Sequence, residues 1–274
     1  MNRRRMFAAT GLAGATLAAV SAPGLIRSAA AQTPGLSTLD KILKEKVVRI
    51  ATDVSSPPFG MIGTDGKPDG VEVATCKQLA KDMGVELDLV QVVATQRIPA
   101  LLAGRADITL SSISMTFDRA KTVSFCNPNG ALAIVVFGPQ KVSMGKAADM
   151  DGKRIGITRA TLEEAEVPKI APPGAKIVWF DDISATIQSL LSGQVDGAAM
   201  SEFAARSVME RNARANLELK FLVRRAFYAP IVRHADMELR HWVNTWNALN
   251  RQNGVLAGIY KQYTGIDLPE LPVI

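Results

Sequence analysis

The sequence predicts an α/β protein of two similar lobes, each built around its own, mainly parallel β-sheet. Short apolar strands alternate with helices from Val47 to Tyr263, an order typical of parallel sheets covered by helices. The pattern I-x-[AS]-L-L-[AS]-G-x-x-D also occurs twice, at Ile98–Asp107 and, 89 residues later, at Ile187–Asp196. In each copy a Leu-Leu pair packs a short helix on a sheet, Gly ends the helix and Asp starts the next strand. The alternative explanation of the repeated pattern is that two unrelated α/β units share common helix-ending residues.

Six strands are predicted from short apolar and β-branched runs bounded by turn residues. The first, Val47–Thr52, ends at Asp53 and the Pro57-Pro58 pair, because proline cannot continue a strand ladder. The later strands are Glu86–Val93, Asp107–Ser112, Ala131–Phe137, Arg154–Ile157 and Lys176–Phe180.

Helices are predicted over segments of helical composition, most of which stop at a glycine that can adopt the left-handed conformation. They are Val71–Met83 before Gly84, Ile98–Ala103 before Gly104, one helix between strands Arg154–Ile157 and Lys176–Phe180, Ile183–Leu191 before Gly193, Glu202–Arg211, Met237–Asn253 before Gly254, and a short helix to Tyr263.

Ligands of open α/β sheets bind beyond the carboxyl ends of strands. Two facing lobes would therefore place Ser112 and Ser201 in one shared cleft.

Composition excludes several classes of protein. Hydrophobic residues make up 47% of the 274 residues and charged residues 21%, as in folded domains and unlike disordered, collagen-like or coiled-coil chains. The formal charge is +6, but residues 1–31 hold four Arg and no acid, so the rest carries only +2 and no nucleic-acid partner is expected. Two His and two Cys are too few for a disulfide framework or a four-cysteine zinc site. We expect no metal, no cofactor, and buried free thiols at Cys76 and Cys126.

The first 31 residues have the order of an export signal. A basic start precedes an apolar, Ala/Gly-rich run, and Ala29–Ala31 supply the small residues of a cleavage site. Arg4–Phe7 reads R-R-x-F, the core of a twin-arginine signal. We predict a twin-arginine signal peptide over residues 1–31, cleaved near Ala31, and a periplasmic mature protein. The alternative is an uncleaved anchor over Met6–Ile26, which is rich in Ala and contains three Gly and one Pro.

The mature chain resembles one known family at several points. The matching segments, in order, are Ile50–Asp53 with Pro57–Phe59, Asp65–Lys67 with Gly70, Ile98–Leu101 with Gly104 and Asp107, Ser111–Arg119, Val123–Phe125, Gly152–Ile157, Gly193 with Asp196, and Asn253-Gly254 with Ile259, Tyr260 and Tyr263. Their order and spacing over residues 40–265 resemble the bacterial extracytoplasmic solute-binding proteins of ABC transporters, in the polar amino-acid-binding group (family 3). The resemblance implies the type II periplasmic-binding-protein clamshell, with two lobes joined by two hinge crossings.

The resemblance also implies how the lobes divide and what they do. Lobe 1 would hold residues 36–129 and 229–274, and lobe 2 would hold residues 133–222. Ligand binding closes the lobes, and the closed form docks on the membrane permease of an ABC importer. We therefore expect a monomer that binds a small amino acid or organic acid.

Seven residues are candidates for ligand binding. Arg119 closes the S-x-T-x-x-R segment, and the resemblance implies that its planar guanidinium binds the ligand carboxylate with two hydrogen bonds. Ser112 and Ser114 offer a carbonyl and a hydroxyl just before it, while Thr161 offers a hydroxyl and free helix amides from the opposite lobe. Ordinary turn and helix-capping roles are the alternative for these hydroxyl residues. The remaining candidates are Asp53, Ser201 and Glu202.

Departures from the family bear on the identity of the ligand. Ser201 stands where amino-acid binders usually have an Asp for the α-ammonium group, and serine cannot supply that charge, although Glu202 would be able to. The departures therefore favour a small carboxylate-bearing solute over an α-amino acid. Arg97 and Arg159 would suit a second acidic group, although a residue of this type is more often a solvated surface charge. Small residues stand where the family often has aromatic ones that sandwich the ligand, so we expect no stacking: these are Ser56 and Ala94.

Two other functions stay open at this point. The same clamshell is used by periplasmic cyclohexadienyl dehydratases, and Glu202 would be the general acid of such an enzyme. A sensory protein, whose loaded form signals to a receptor, has the same sequence features as a transport protein. The main prediction is a binding protein without catalysis.

Overall fold

The computed structural model describes residues 35–274. The predicted signal peptide lies outside these residues, so its twin-arginine motif and its cleavage near Ala31 stay predictions. Among the helices of residues 35–274, none is both long enough and apolar enough to cross a lipid bilayer.

Twelve strands form three sheets in the described part of the chain. They are β1 Val47–Thr52, β2 Met61–Ile62, β3 Pro68–Asp69, β4 Glu86–Gln91, β5 Ile108–Thr109, β6 Ser124–Phe125, β7 Gly130–Pro139, β8 Arg154–Thr158, β9 Lys176–Phe180, β10 Gly197–Ser201, β11 Leu217–Tyr228 and β12 Ile231–Val232.

Nine α-helices lie between or beside these strands in residues 35–274. They are α1 Thr38–Glu45, α2 Val71–Met83, α3 Arg97–Leu102, α4 Phe117–Ala120, α5 Leu162–Ile170, α6 Ile183–Leu191, α7 Glu202–Arg211, α8 Met237–Gln252 and α9 Val255–Thr264. The predicted bounds of α2, α6 and α7 are confirmed to the residue, as is strand β9.

Two five-stranded sheets carry the two lobes. The first has the strand order β4-β1-β5-β12-β6 and the second has the order β11-β7-β10-β8-β9. The strands of the second sheet run from Gly130 to Tyr228, slightly beyond the 133–222 range that the sequence predicts for lobe 2. The chain therefore passes between the sheets at residues 126–129 and again at residues 229–230.

Both sheets are mixed, whereas the sequence predicts mainly parallel ones. The chain leaves the first sheet through β6 and returns through β12, so these strands run in opposite directions and pair antiparallel. The strands β7 and β11, which enter and leave the second sheet, pair antiparallel for the same reason. Parallel pairs occur where a helix connects the strands, as for β1 with β4 and β8 with β9.

The repeated sequence pattern forms the same structure in both lobes. Gly104 (φ 71°) and Gly193 (φ 77°) follow α3 and α6 in the left-handed conformation that glycine adopts at little cost. The carboxylate Oδ2 of Asp107 accepts the backbone N–H of Arg49 on β1 at 2.9 Å. In the second lobe, Oδ2 of Asp196 accepts the backbone N–H of Arg154 on β8 at 2.8 Å. The pattern thus fastens each short helix and its following strand to the neighbouring strand of the sheet.

Separate hydrophobic clusters hold the two sheets, and a third cluster joins them. The first includes Ile50, Leu79 and Trp246, and the second includes Phe137 and Leu190. The joining cluster contains an aromatic group in which rings meet edge to face, with centroids 5.5–6.1 Å apart: its members are Phe59, Phe203, Tyr228 and Tyr260. This group packs beneath the space between the lobes. Cys76 and Cys126 are buried and unpaired, as predicted.

Two of the longer elements, α1 and β11, were not predicted from the sequence. Helix α1 begins at a capping box, in which Ser37 and Asp40 hydrogen-bond to each other's backbone amides. Strand β11 contains four basic or acidic residues in twelve and has no flanking glycine or proline at its start, so its composition resembles an exposed loop. It forms because it pairs along the whole length of β7, with two register shifts.

Candidate ligand-binding site

A buried cavity of about 50 Å³ lies between the lobes, and side chains of both lobes line it. The lining residues of lobe 1 are Ser56, Phe59, Arg97, Ser112, Ser114 and Arg119. Those of the second sheet and its helices are Leu132, Ile134, Thr158, Thr161, Leu162, Glu163, Ile183, Met200 and Ser201. Five of the seven candidates from the sequence are brought together here, and Asp53 and Glu202 are not.

Arg119 reaches across the space between the lobes. It lies in α4, whose N-cap residue Thr116 accepts the Arg119 backbone N–H at 3.2 Å. Its Nη1 donates to the carbonyl of Ser114 at 2.9 Å, and its Nη2 donates to the carbonyl of Ala160 in the other lobe at 2.8 Å. Burial, and secondarily the charge of Arg97, lowers the pKa of Arg119 to about 10, so the guanidinium stays charged at neutral pH.

Arg97 lies beside Arg119 and is only 8% exposed. Its Nε and Nη1 donate to the carbonyls of Ala94 and Ser111, both at 3.1 Å. Its Nη2 donates to the Ala160 carbonyl at 2.8 Å, the same oxygen that Arg119 contacts. Two guanidinium groups of lobe 1 therefore converge on one oxygen of the second lobe.

The turn that carries this oxygen has a strained backbone. Ala160 has φ 59°, in the left-handed region that costs a residue with a side chain about 1 kcal/mol. Its backbone N–H donates to Oε2 of Glu164 at 2.6 Å, which holds the turn from within α5.

Arg159, the neighbouring residue, faces away from the cavity, pairs with Asp181 at 3.2 Å and lies over the ring of Trp179. Of the two arginines considered for a second acidic group, only Arg97 is placed in the site.

The hydroxyl residues of the site have different roles. Ser112 also has a left-handed backbone (φ 43°), and Ser114 is buried with its carbonyl bonded to Arg119. Thr161 is the N-cap residue of α5, yet its hydroxyl donates to the carbonyl of Thr158 at 2.6 Å and does not cap the helix. The first amides of α5 are therefore not bonded to their own N-cap side chain.

Ser201 and Glu202 separate at the start of α7. The hydroxyl of Ser201 lines the cavity and accepts the backbone N–H of Ala204 at 3.2 Å as an ordinary helix cap. Glu202 points away from the cavity and its Oε1 pairs with Nη2 of Arg206 at 2.6 Å.

Asp53 is buried behind the cavity wall, where its Oδ1 accepts the backbone N–H and the hydroxyl of Ser55 at 2.8 and 2.6 Å.

Glu163 is a site residue that the sequence analysis missed. It lies in the first turn of α5, lines the cavity and is 6% exposed. Burial raises the pKa of its carboxyl, while interactions with its own backbone N–H and the Thr161 side chain, and then the charges of Arg97 and Arg119, oppose that rise. No ion pair in residues 35–274 involves it. An acidic residue in the first turn of a helix is normally exposed to solvent. The position of Glu163, two residues after the predicted site residue Thr161, is the only sequence signal that indicates a place in the cavity.

Two further spaces adjoin the arginine pair. A cavity of about 40 Å³ lies on the other side of Arg97 and Arg119, and an open groove of about 930 Å³ reaches Arg119 from the surface. The groove is lined by Phe117, which is 92% exposed, and by Met115. Its walls are more open and carry fewer buried polar groups than the 50 Å³ cavity, so we assign the site to that cavity. In residues 35–274 no group of three or more His, Cys, Asp or Glu side chains is placed to hold a metal ion.

Comparison with known proteins agrees with the resemblance read from the motifs. The model of the bacterial extracellular solute-binding proteins, family 3, matches residues 48–266. The chain belongs to this family. The L-cystine-binding protein TcyJ of Escherichia coli (strain K12) is 25% identical over 233 residues, which cover 84% of this chain and 87% of TcyJ.

Solved structures of family members confirm the fold. The solute receptor for L-cysteine of Neisseria gonorrhoeae superposes with a TM-score of 0.78 at 26% identity, covering 83% of this chain and 93% of the receptor. The ancestral amino acid-binding protein AncCDT-1, a precursor of cyclohexadienyl dehydratase, has a TM-score of 0.75 at 25% identity and covers 83% of this chain and all of its own. The α/β architecture of two lobes predicted from the sequence is therefore confirmed.

Proposed function

We propose that the protein is the extracytoplasmic substrate-binding component of an ABC importer, and that it binds a small carboxylate-bearing solute, an amino acid or related organic acid, between its lobes. One observation carries the proposal: Arg97 and Arg119 of lobe 1 converge on a single oxygen of the second lobe at the wall of a shared cavity. Family membership and relatives named for amino acids support the same function.

The chemistry of the arginine pair suits a carboxylate. A guanidinium has five N–H donors, of which Arg119 uses two and Arg97 three in protein hydrogen bonds. The remaining donors of Arg119 can bind both oxygens of a carboxylate. Because charge-assisted hydrogen bonds are stronger than those to a neutral carbonyl, the ligand would compete well with the Ala160 oxygen for these donors.

Binding would be coupled to movement of the lobes. We assign residues 36–129 and 229–274 to lobe 1 and residues 133–222 to lobe 2, with the hinge in the two crossings between the sheets. A carboxylate on Arg119 and contacts from Thr161 and Ser201 together exist only when the lobes are closed, so the ligand favours that form. The closed protein, a monomer in this proposal, would dock on the membrane permease.

Export through the twin-arginine route completes the proposal. The protein would be periplasmic after cleavage near Ala31. Replacing Arg4 and Arg5 together by Lys should block export, and cell fractionation would then find the precursor in the cytoplasm. Normal export of this double variant would indicate the ordinary secretory route.

The lyase alternative loses the residue on which it depended. It used Glu202 as general acid, and Glu202 lies outside the cavity in an ion pair with Arg206. A sensory role remains compatible with the same site, because it uses the same ligand and the same closure.

Titration calorimetry of an arginine variant tests the proposal. A thermal-shift screen of amino acids, dicarboxylates and keto acids first supplies the solute. Arg119→Ala should then weaken its binding by about 30-fold to a few thousand-fold, because losing one partner of a buried charged pair costs about 2–5 kcal/mol. The control is Arg225→Ala, an exposed arginine on β11, which should bind like the wild type. Unchanged affinity of the Arg119 variant would remove this residue from the site.

A further inference from the structure

Few polar contacts join the two lobes away from the hinge crossings. Within the described residues no ion pair links lobe 1 to lobe 2. The Ala160 carbonyl of lobe 2 accepts one hydrogen bond from Arg97 and one from Arg119, both at 2.8 Å. The one other hydrogen bond between these parts of the described chain is a long contact of 3.8 Å from Nη2 of Arg211 to the sulfur of Met61. A single backbone oxygen therefore accepts both of the strong hydrogen bonds that join the lobes here.

The turn that presents this oxygen is held in place from within lobe 2. Ala160 has φ 59°, a conformation that glycine adopts at little cost and alanine does not. Oε2 of Glu164 accepts the Ala160 backbone N–H at 2.6 Å, and the Thr161 hydroxyl donates to the carbonyl of Thr158 at 2.6 Å. Because a strained conformation persists only where its surroundings hold it, Glu164 acts as a brace that fixes the direction of the Ala160 carbonyl.

The arginine side of the contact is fixed as well, but it brings two like charges together. Carbonyl oxygens of lobe 1 accept hydrogen bonds from both guanidinium groups and leave Nη2 of each directed at Ala160. Burial lowers the pKa of Arg119, and the charge of Arg97 lowers it further. A neutral carbonyl offers these charges only the negative end of a dipole, whereas an anion makes stronger, charge-assisted hydrogen bonds. The contact can therefore join the lobes on its own, and an anionic solute can displace it.

We infer that the Ala160 carbonyl is an internal latch, which holds the lobes together through Arg97 and Arg119 when no solute is bound and must be displaced when a solute binds. The first part does not depend on what the protein binds, and the second rests on the proposed function. A latched population lowers the apparent affinity in proportion to the fraction of the protein that is unlatched. Weakening the latch without changing either arginine should therefore tighten binding of the solute.

Small-angle X-ray scattering of the solute-free protein tests the latch first. Glu164→Ala removes the brace, so the Ala160 turn should relax and the variant should open, with a larger radius of gyration than the wild type. Glu210→Ala, the same change at an exposed position on α7 of the same lobe, is the control and should scatter like the wild type. Adding Ala160→Gly to Glu164→Ala should restore the wild-type radius, because glycine adopts the left-handed conformation without a brace.

Calorimetry then measures what the latch does to binding. The probes are alanine, succinate and pyruvate, one from each class of the thermal-shift screen, together with the member of that screen that stabilises the wild type most. Glu164→Ala should bind the tightest of these probes about 3- to 10-fold more tightly than the wild type, as expected when a protein that is latched for about two thirds to nine tenths of the time loses its latch. The control Glu210→Ala and the double variant should bind like the wild type.

The possible outcomes have different meanings. A wild-type radius of gyration in Glu164→Ala would overturn the latch, and an open double variant would overturn the role of the Ala160 turn in it. An open Glu164→Ala that binds the probe no more tightly than the wild type would overturn the competition between latch and solute. Binding of no probe by any variant would contradict the proposed function, whereas the scattering comparison would still decide whether the latch holds the lobes together.

Discussion

Glu72 should make the stability of the protein depend on pH. It lies in α2, is 1% exposed and faces the hinge, where its carboxylate oxygens have no hydrogen-bond partner in residues 35–274. The groups around it are the Ser112 backbone, Asn129 of the first crossing, Tyr228 beside the second crossing, and Arg97. Burial raises the pKa of Glu72 from 4.5 to about 8, and the nearby Ser112, Asn129 and Arg97 oppose the rise only in part.

The direction and size of the effect follow from proton linkage. Between pH 4.5 and about pH 8 the folded protein keeps this proton and the unfolded chain releases it. The free energy of unfolding therefore falls as pH rises through this range, by about 1.4 kcal/mol per pH unit, and it levels off above pH 8. Between pH 6 and pH 8 the loss attributable to Glu72 is about 2 kcal/mol, because the slope falls off as pH approaches the folded pKa.

Urea unfolding from pH 5 to pH 9 measures this loss. Glu72→Gln, which imitates the protonated side chain, should lack the contribution, so the variant gains about 2 kcal/mol relative to the wild type between pH 6 and pH 8. Glu86→Gln, at an exposed position on β4, is the matched control and should follow the wild-type profile. Parallel pH profiles for the wild type and Glu72→Gln would refute the reasoning.

Three further predictions concern packing and thiol chemistry. Gly130→Ala should destabilise the protein by about 1–3 kcal/mol in urea unfolding, because a Cβ atom there would collide with the Tyr228 hydroxyl; wild-type stability would contradict the close packing of this crossing. Burial raises the pKa of Cys126 to about 12 and holds that of Cys76 well above its usual value, so neither thiol should react with Ellman's reagent until the protein unfolds, and rapid labelling of the native protein would be inconsistent with their burial. Leu101→Ala should cost about 2–5 kcal/mol in the same unfolding assay, since Leu101 is fully buried in the core of lobe 1, and a loss below 1 kcal/mol would argue against that packing.

The fold was predictable wherever local signals agree with tertiary packing. Helix α2 has helical composition and a glycine directly after it, and both its predicted ends are correct. Strand β11 was missed because four of its twelve residues are charged and its pairing with β7 is long-range. The direction of β6, β7, β11 and β12 depends on how the chain crosses between sheets, which no local pattern encodes.

The site was predictable in part for a similar reason. Arg119, Ser112, Ser114, Thr161 and Ser201 come from motifs at strand ends and helix starts, and the structure places them around one cavity. Their roles toward a ligand stay predictions.

Two further charged residues belong to the site for reasons that depend on the facing lobe. Arg97 and Glu163 line the cavity between the lobes, whereas a charged residue in the first turn of a helix otherwise indicates a solvated surface. Glu202 is the opposite case, a predicted site residue that does not line the cavity. Its neighbour Ser201 lines the cavity, whereas the Glu202 side chain pairs with Arg206.

The central claim is that a small carboxylate-bearing solute binds between the lobes. The most direct measurement is the melting temperature of the purified protein against a panel of amino acids, dicarboxylates and keto acids, repeated with Arg119→Ala. A specific solute at one hundred times its dissociation constant should stabilise the wild type by about 2.7 kcal/mol and leave the variant unaffected. We expect such a rise with one or a few amino acids or related organic acids. No rise with any member of the panel, or an equal rise in the Arg119 variant, would contradict it.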